Sequence, residues 1–322
     1  MHFWGIAVEL EVKSLKILLT VAECASYSRA AHKLGVTQPA VSRRILDLEK
    51  QLKTRLFRRE GHRFVLTETG KAVCEQARQI DRLMERIQPS IQELTGKPSG
   101  SVVVGLPSGV GEMLAARLVR KFRASYPGVM LRLEQGYASD LSQMLASNYI
   151  DVAILHGKHN SPLFHITPLV QLELGLVYPS AWRTNAPSPI RLSSQIALAD
   201  TVDLPFIIPS QQQPMRARIE DAYRDLGGLR NIVLECNGLG LAKSLAREGL
   251  GCMILSNSSL NKTDLECLSF ARIHAPRIEW TACMATRSEG EPTLAAKLLA
   301  RMLQCEIEDL VRAGDWYGSL IA

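Results

Sequence analysis

The sequence predicts a chain of mixed class, α+β in its N-terminal third and α/β beyond it, on three observations. Two short helical patterns meet at Gly35, and a basic hairpin pattern follows them. From Ser101 onward, apolar runs of strand length alternate with helical patterns, as in layered α/β folds. Residues 1–97 hold 17 Lys and Arg against 11 Asp and Glu, whereas residues 98–322 hold 21 of each. A basic head joined to a neutral body indicates a phosphate-binding module coupled to a module with another role.

Length and composition narrow the class of protein. A chain of 322 residues with 46% hydrophobic and 22% charged residues is typical of two or three soluble domains. It contains no apolar run long enough to cross a bilayer, and Met1–Glu9 lacks the basic start of a signal peptide, so we expect a cytoplasmic location. The seven cysteines show no Cys-x-x-Cys pair, which favours reduced thiols over a metal site. Without a Gly-x-Ser-x-Gly elbow either, we expect no catalytic residues, metal or cofactor, and no enzyme.

Three helices are predicted near the N-terminus. The first covers residues 13–24, and Ser28 is the expected N-cap of the second. The third begins at Thr37, a good N-cap, with Pro39 in its first turn, where the missing N–H does no harm. The inward residues of the first helix are expected to be Leu15, Leu18, Leu19 and Ala22, and those of the third are Val41, Ile45, Leu48 and Leu52. The opposite face of the third helix is polar and basic, as in the recognition helix of a helix-turn-helix, so the pattern predicts DNA binding.

A two-stranded wing is predicted after this helix. Arg58, Arg59 and Arg63 flank a Glu60-Gly61 turn, and Leu56 and Phe57 are expected to enter the core. The arginines would lie over DNA phosphates, which positions the protein without reading sequence. The alternative is an ordinary hairpin with solvated arginines.

A long helix is predicted over about residues 68–94, capped by Thr67. Apolar residues at alternating spacings of four and three favour a dimer seam, formed by Val73, Ala77, Ile80, Met84, Ile87, Ile91 and Leu94. The alternative is an amphipathic helix packed within its own subunit. Pro89 predicts a kink or an early stop near residue 88. The composition of residues 95–100 is that of a hinge.

Two α/β units are predicted beyond the hinge. In the first, strands at 101–106, 129–134 and 151–155 alternate with helices at 111–125 and 138–147, which predicts a parallel layer. The second contains strands at 174–178, 206–208, 232–236 and 251–255 and helices at 215–226 and 239–248. A strand at 280–285 and a helix at 293–311 complete the chain. Two units connected twice leave a cleft between them.

The N-terminal motifs resemble the signature of LysR-type transcriptional regulators, and the likeness extends from about residue 10 onward. The residues that carry it are Leu15, Val21-Ala22-Glu23, Ser26-Tyr27-Ser28-Arg29-Ala30-Ala31, Leu34, Thr37-Gln38-Pro39-Ala40-Val41-Ser42, Ile45, Leu48-Glu49, Leu52, Leu56-Phe57, Arg59 and Leu66-Thr67-Glu68-Thr69-Gly70. The sequence departs from the family at Leu18, where an aromatic residue is preferred, and at Lys53, where glycine is usual. We therefore expect a harmless core exchange at Leu18 and a strained or reshaped turn at Lys53. The first nine residues extend past the usual start.

The resemblance implies a domain organisation. It consists of a winged helix-turn-helix over residues 10–67 (helix-turn-helix 26–45), a dimerising linker helix over 68–94, a hinge at 95–100 and an effector domain over 101–322. The effector domain would have two lobes, like type 2 periplasmic-binding proteins, with lobe I over about 101–170 and 277–322 and lobe II over about 171–276. The family association implies dimers or tetramers that bend promoter DNA, with RNA polymerase as a further partner.

The same resemblance assigns candidate site residues. Base-edge contacts are expected from Gln38, Pro39, Ser42 and Arg43, phosphate contacts from Lys33, Arg44, Arg58, Arg59 and Arg63, and further DNA contacts from Ser28 and Thr37. Effector contacts are expected at strand ends and helix N-termini, where free N–H groups favour an anion such as an organic acid, from Ser108, Gly109, Gln135, His156, Ser210 and Asn237. The alternatives are a helix cap for each serine or asparagine and a surface loop for His156.

These observations together predict a transcription factor controlled by a small molecule bound between two lobes. One alternative is a solute-binding protein or small-molecule enzyme with an incidental basic head. The other is an architectural DNA binder without a ligand.

Overall fold

The computed structural model describes residues 10–60, 63–93, 97–157, 161–185 and 193–321. Contacts divide the chain into two compact units, Met1–Gly100 with Ser147–Tyr149 and Ser101–Ala146 with Ile150–Ala322. The N-terminal extension, the turn at residues 61–62, Leu94 and residues 95–96 of the predicted hinge lie outside the described residues, as do the side chains of Arg63 and Pro89. No helix in the described ranges is both long enough and apolar enough to span a membrane.

The first unit begins with three helices and a hairpin, as predicted. The elements are α1 (Val12–Cys24), α2 (Tyr27–Leu34), α3 (Gln38–Gln51), β1 (Phe57–Glu60) and β2 (Arg63–Leu66). The predicted N-cap of α2 was wrong: Ser26, not Ser28, accepts a hydrogen bond from the Arg29 N–H at 3.4 Å, because Ser28 already lies inside the first turn. Gly35 ends α2 with a φ of +66°, the left-handed conformation that glycine adopts without steric cost.

The core of this unit confirms the predicted apolar faces and widens one of them. Leu15 and Leu18 are buried, whereas Leu19 and Ala22 are half-buried and Ile17 and Val21, which were not predicted, are also buried. The buried face is broad because α1 packs against α2, α3 and α4 (Glu68–Glu93). Leu18 is fully buried, which agrees with the core position expected for it.

Lys53 occupies the turn between α3 and β1 with a φ of +52°. This left-handed conformation is costly for any residue with a Cβ atom. The expectation of a strained turn at this position is therefore confirmed.

The long helix α4 begins where it was predicted, since Thr67 Oγ1 accepts a hydrogen bond from the Gly70 N–H at 2.9 Å. It continues through Pro89 to Glu93, so of the two predicted alternatives the early stop near residue 88 was wrong, and the kink stays a prediction. A proline inside a helix removes one backbone hydrogen bond, which does not by itself end the helix. Cys74 and Ala77 are buried, whereas the apolar residues of the second half are exposed: Ile80, Leu83, Met84, Ile87 and Ile91.

The second unit is built on a large mixed sheet. Its strands are β3 (Gly100–Leu106), β4 (Val129–Gln135), β5 (Val152–His156), β6 (Phe164–Pro179), β7 (Gln195–Ala197), β10 (Met253–Ser256), β11 (Leu268–His274), β12 (Ile278–Arg287) and β13 (Gly318–Leu320). They follow the order β4-β3-β5-β12-β6-β11-β7, with β10 and β13 also paired to β6. The predicted parallel pairing holds for β3 and β5, and β12 runs antiparallel to β5 and β6.

Two parallel strands, β8 (Phe206–Ile208) and β9 (Ile232–Glu235), form a separate small sheet. The helices are α5 (Ser108–Ser125), α6 (Ala138–Ala146), α7 (Pro214–Tyr223), α8 (Leu239–Arg247), α9 (Asp264–Cys267) and α10 (Leu294–Arg312). One apolar core includes residues of both sheets, from Val104 in β3 to Phe206 in β8. The main differences from the prediction are the start of β6 at Phe164 rather than near residue 174 and three unpredicted strands, β7, β11 and β13.

Candidate nucleic-acid interface and ligand cavity

The outward face of α3 carries the predicted base-reading residues. Burial of Val41, Ile45 and Leu48 fixes the rotation of the helix, so the polar residues on its other side face solvent. Along that face, Gln38, Pro39 and Arg43 are exposed and Ser42 is half-buried, and Thr37 lies at the N-cap position without a side-chain capping bond. Ser28, Gln38 and Ser42 line one open hollow of this unit, so the structure brings these three predicted DNA contacts together.

Three of the predicted phosphate-binding cations pair with carboxylates in the unbound chain. Each pair is exposed and close: Lys33 with Glu23 at 2.7 Å, Arg44 with Glu11 at 2.7 Å, and Arg58 with Glu60 at 2.8 Å. Exposed ion pairs contribute little to stability, so these side chains can move to a phosphate at low cost. Arg59 is exposed on the hairpin, and Arg63 has only its backbone described, in β2.

Glu49 belongs to the N-terminal motif but had no predicted role, and the structure gives it one. Its side chain is 8% exposed, and Oε1 accepts hydrogen bonds from the N–H groups of Leu56 at 2.8 Å and Phe57 at 3.3 Å. Its other oxygen, Oε2, accepts from Arg55 at 2.8 Å. Glu49 therefore joins the end of α3 to the start of the hairpin. The sequence feature that could have indicated its burial is its position next to Leu48, a residue of the predicted apolar stripe.

Tyr27 packs on the same side of the hairpin. Its ring makes edge contacts with Phe57 and Phe64, at centroid distances of 6.1 and 4.4 Å. Burial, followed by the negative charge of Glu49, raises the pKa of Tyr27 to about 12. The phenol therefore stays neutral at physiological pH and acts as part of the packing between α2 and the hairpin.

A cavity of about 170 Å³ in the second unit gathers four of the six predicted effector residues. Ser108, Gly109, His156 and Asn237 line it. Gln135 is exposed at the end of β4 and Ser210 follows β8, and neither belongs to the lining. The Ser210 N–H donates instead to Asn237 Oδ1 at 2.9 Å, which leaves the amide nitrogen of Asn237 as a donor. Much of the lining is apolar and was not predicted, including Ile207, Met215, Leu239 and Trp280.

Three helices begin at this cavity, and their N-termini lack both a side-chain cap and an acidic residue. α5, α7 and α8 each have no side-chain capping bond and no acidic residue in the first turn. The dipoles of all three helices, and the first N–H groups of α5 and α8, favour a negative charge nearby, whereas Pro214 at the start of α7 has no N–H. Among the described residues that line the cavity, none is Asp, Glu, Lys or Arg. The cavity therefore combines apolar walls with partial positive charge from backbone groups.

A buried ionic cluster lies beside the cavity. The Lys243 side chain, 4% exposed on α8, donates to Glu112 Oε2 of α5 at 2.7 Å, Asp264 Oδ2 at 2.8 Å and the Ser259 carbonyl at 3.1 Å. Arg247 also pairs with Asp264. Burial alone would raise the pKa of Asp264, but hydrogen bonds from Lys243, the Asn261 N–H and Arg247 outweigh it, so the pKa lies below its ordinary value. The sequence gives no local signal for this cluster, because its members come from separate segments.

The comparisons with known proteins agree with this geometry. Residues 12–71 match the model for "Bacterial regulatory helix-turn-helix protein, lysR family", and residues 95–307 match the model for "LysR substrate binding domain". A probable RuBisCO transcriptional regulator of Emiliania huxleyi is 32% identical over 274 residues, covering 83% of this chain and 85% of that protein. A protein of the same name from Synechocystis is 29% identical over 262 residues, covering 79% of this chain and 74% of that one.

Solved structures show the same fold. Full-length CbnR in complex with its target DNA superposes with a TM-score of 0.71 at 22% identity, covering 93% of this chain and 99% of that one. A full-length OxyR variant from Pseudomonas aeruginosa gives a TM-score of 0.66 at 20% identity, covering 93% of this chain and 95% of that one. With both family models matched in sequence, the chain belongs to the LysR family and is a DNA-binding transcriptional regulator with an N-terminal helix-turn-helix and a C-terminal effector-binding domain.

Proposed function

We propose that an organic acid bound in the 170 Å³ cavity controls promoter binding by this protein. The three helix starts carry the proposal, because the first turns of α5, α7 and α8 line one small, largely apolar space and none has a side-chain cap. The backbone N–H groups at the start of a helix favour an anion. A carboxylate would accept those hydrogen bonds, and the apolar part of the acid would pack on Ile207, Leu239 and Trp280. Ser108 and Asn237 would supply further donors.

We propose that the chain acts as a homodimer or homotetramer assembled through α4. The exposed apolar residues of its second half, Ile80, Leu83, Met84, Ile87 and Ile91, support a helix-helix seam rather than packing within one subunit. Pairing would place two helix-turn-helix units on neighbouring half-sites of one promoter.

Ligand binding would then change the bend of the promoter DNA. Closure of the two lobes around the acid alters the angle between paired DNA-binding units and thus the promoter bend and the access of RNA polymerase. Because a promoter-binding regulator must reach the chromosomal DNA, we propose that the protein is cytoplasmic. We also propose that it has no enzymatic activity and no bound cofactor.

A gel-shift series tests this function. The full-length protein is titrated against its own upstream DNA and against random DNA of equal length at matched salt, with and without a panel of small organic acids. We expect a preference of at least about 10³ for the upstream DNA and a change of affinity or footprint with one acid class. Equal binding to both DNAs would favour a solute-binding protein. Specific binding that no acid changes, with no acid raising the melting temperature, would favour a ligand-free architectural protein.

A further inference from the structure

A second hollow in the α/β unit has the features of a ligand site. It has a volume of about 720 Å³ beside β6 and β11 and shares no lining residue with the 170 Å³ cavity. Its volume lies within the range of about 300–1,000 Å³ that is typical of small-molecule pockets. The proposed effector occupies the other cavity, so this hollow has no role in the function described above.

Two arginines line this hollow, and neither forms an ion pair with a described residue. Arg272 of β11 is held with its guanidinium carbon 4.3 Å from the centre of the Tyr317 ring, and Arg183 lies in the turn after β6. Within the part of the chain that the structure describes, neither arginine has a carboxylate within 4 Å, although Asp315 also lines the hollow.

Other lining residues complement these charges. Tyr178 and Ser269 are polar; Tyr178 is 2% exposed, and the Ser269 hydroxyl lies 2.9 Å from that of Ser180, which is outside the lining. Burial raises the pKa of Tyr178 despite the opposing effects of Arg183 and a hydrogen bond with Ser269, so its phenol remains a proton donor. One wall is apolar, formed by Leu260, Leu265, Leu268 and Phe270.

We propose that this hollow binds an organic anion with an aromatic or aliphatic body. Two guanidinium groups recognise a carboxylate, sulfonate or phosphate through charge-assisted hydrogen bonds, and stacking on Tyr317 fixes the plane of one of them. The leucines and Phe270 cover the apolar body. The site is independent of the 170 Å³ cavity and of the DNA-binding unit.

A dye titration tests the site in the full-length protein. The probe is 8-anilinonaphthalene-1-sulfonate, an aromatic monoanion whose fluorescence rises on an apolar surface. We expect R183M/R272M to weaken the saturable binding by at least about tenfold, since two charge-assisted contacts are lost. The control R301M removes another exposed arginine, on α10, and should bind as the wild type does. Thermal melts establish that both variants remain folded.

Arginine labelling locates the bound dye. Phenylglyoxal modification of the wild-type protein, read by peptide mass, should slow at Arg183 and Arg272 when the dye is present and stay unchanged at Arg301. Equal dye affinity of R183M/R272M and the wild type would overturn the proposal. Absence of protection at Arg183 and Arg272 would overturn it as well. Neither result would bear on DNA binding or on the response to an organic acid.

Discussion

Lys243 Nζ lies 2.7 Å from Glu112 Oε2, and this contact joins α8 to α5, two helices whose first turns line the same cavity. Lys243 also binds Asp264, which is fully buried, so three segments meet at one ammonium group. The link fixes the separation of the two helix starts and therefore the width of the cavity. It is the structural element through which a bound acid and the lobe arrangement would be coupled.

Replacing Lys243 by methionine should destabilise the second unit by about 3–5 kcal/mol, because Asp264 would be left buried without its main countercharge. Methionine has a similar volume, so the loss is electrostatic rather than a cavity effect. Urea unfolding of the full-length protein, followed by tryptophan fluorescence, measures it.

The matched control for this substitution is Lys297→Met. Lys297 also pairs with a carboxylate, Glu291, but its side chain is 50% exposed, so its loss should cost less than about 1 kcal/mol. Similar losses for the two variants would show that the Lys243 cluster is no stronger than a surface pair.

The stability supplied by Asp264 should depend on pH. Folding lowers the pKa of its carboxyl group, so the charged form stabilises the native state, fully above the ordinary pKa of about 4 and less as pH falls toward the folded value. The difference in unfolding free energy between wild type and D264N should therefore be largest near pH 7 and shrink below about pH 4. A difference that stays constant from pH 7 to about pH 2.5 would contradict this account.

Lys53→Gly should stabilise the helix-turn-helix unit by about 0.5–1 kcal/mol. Lys53 has a φ of +52°, and glycine adopts that conformation without the Cβ penalty, which exceeds the extra chain entropy that glycine loses. Hydrogen exchange of the α3 amides in the full-length protein measures the gain. The control Lys53→Ala keeps a Cβ atom, so an equal gain from alanine would mean that the turn is not strained.

Gly70→Ala should have the opposite effect on the same unit. A methyl group at this position would overlap the backbone carbonyl of Leu56, and a carbonyl cannot turn aside as a side chain can. We expect a loss of about 1–3 kcal/mol and weaker protection of the α3 amides. Lys71→Ala, one residue along α4, removes only an exposed pair with Glu68 and should change protection little. If both variants behave alike, the helix does not approach Leu56 as closely as the structure shows.

Local patterns made the helix-turn-helix unit predictable from the sequence. Gly35, the stripe from Val41 to Leu48 and the Thr67 cap each act within a few residues, so periodicity and capping rules detect them. The error at Ser28 was small, because Ser26 and Ser28 are both good capping residues two positions apart.

The cavity was only partly predictable because it depends on contacts between distant segments. Rules for strand ends and helix starts found Ser108 and Asn237, whereas Trp280 lies within β12 and reaches the cavity only through sheet pairing. Lys243 and Glu112 are 131 residues apart, and nothing local to either indicates its partner. The start of β6 was missed because the exposed residues near Phe164 interrupt its apolar pattern.

Arg43→Ala should relax sequence preference more than it weakens binding in general. Arg43 is exposed on the polar face of α3, and in the described part of the chain it has no carboxylate within 4 Å, so its guanidinium is available for the two acceptors of a guanine edge. Loss of such a contact costs about 1–3 kcal/mol at one base pair and nothing at unrelated DNA.

Arg63→Ala, on the hairpin, should weaken binding to all sequences alike and flatten the salt dependence, because phosphate contacts carry no sequence information. Gel shifts with specific and random DNA at several salt concentrations separate the two effects, with Arg301→Ala as the control that should match the wild type. Wild-type binding by both variants at every salt concentration would show that α3 and the hairpin do not face the DNA.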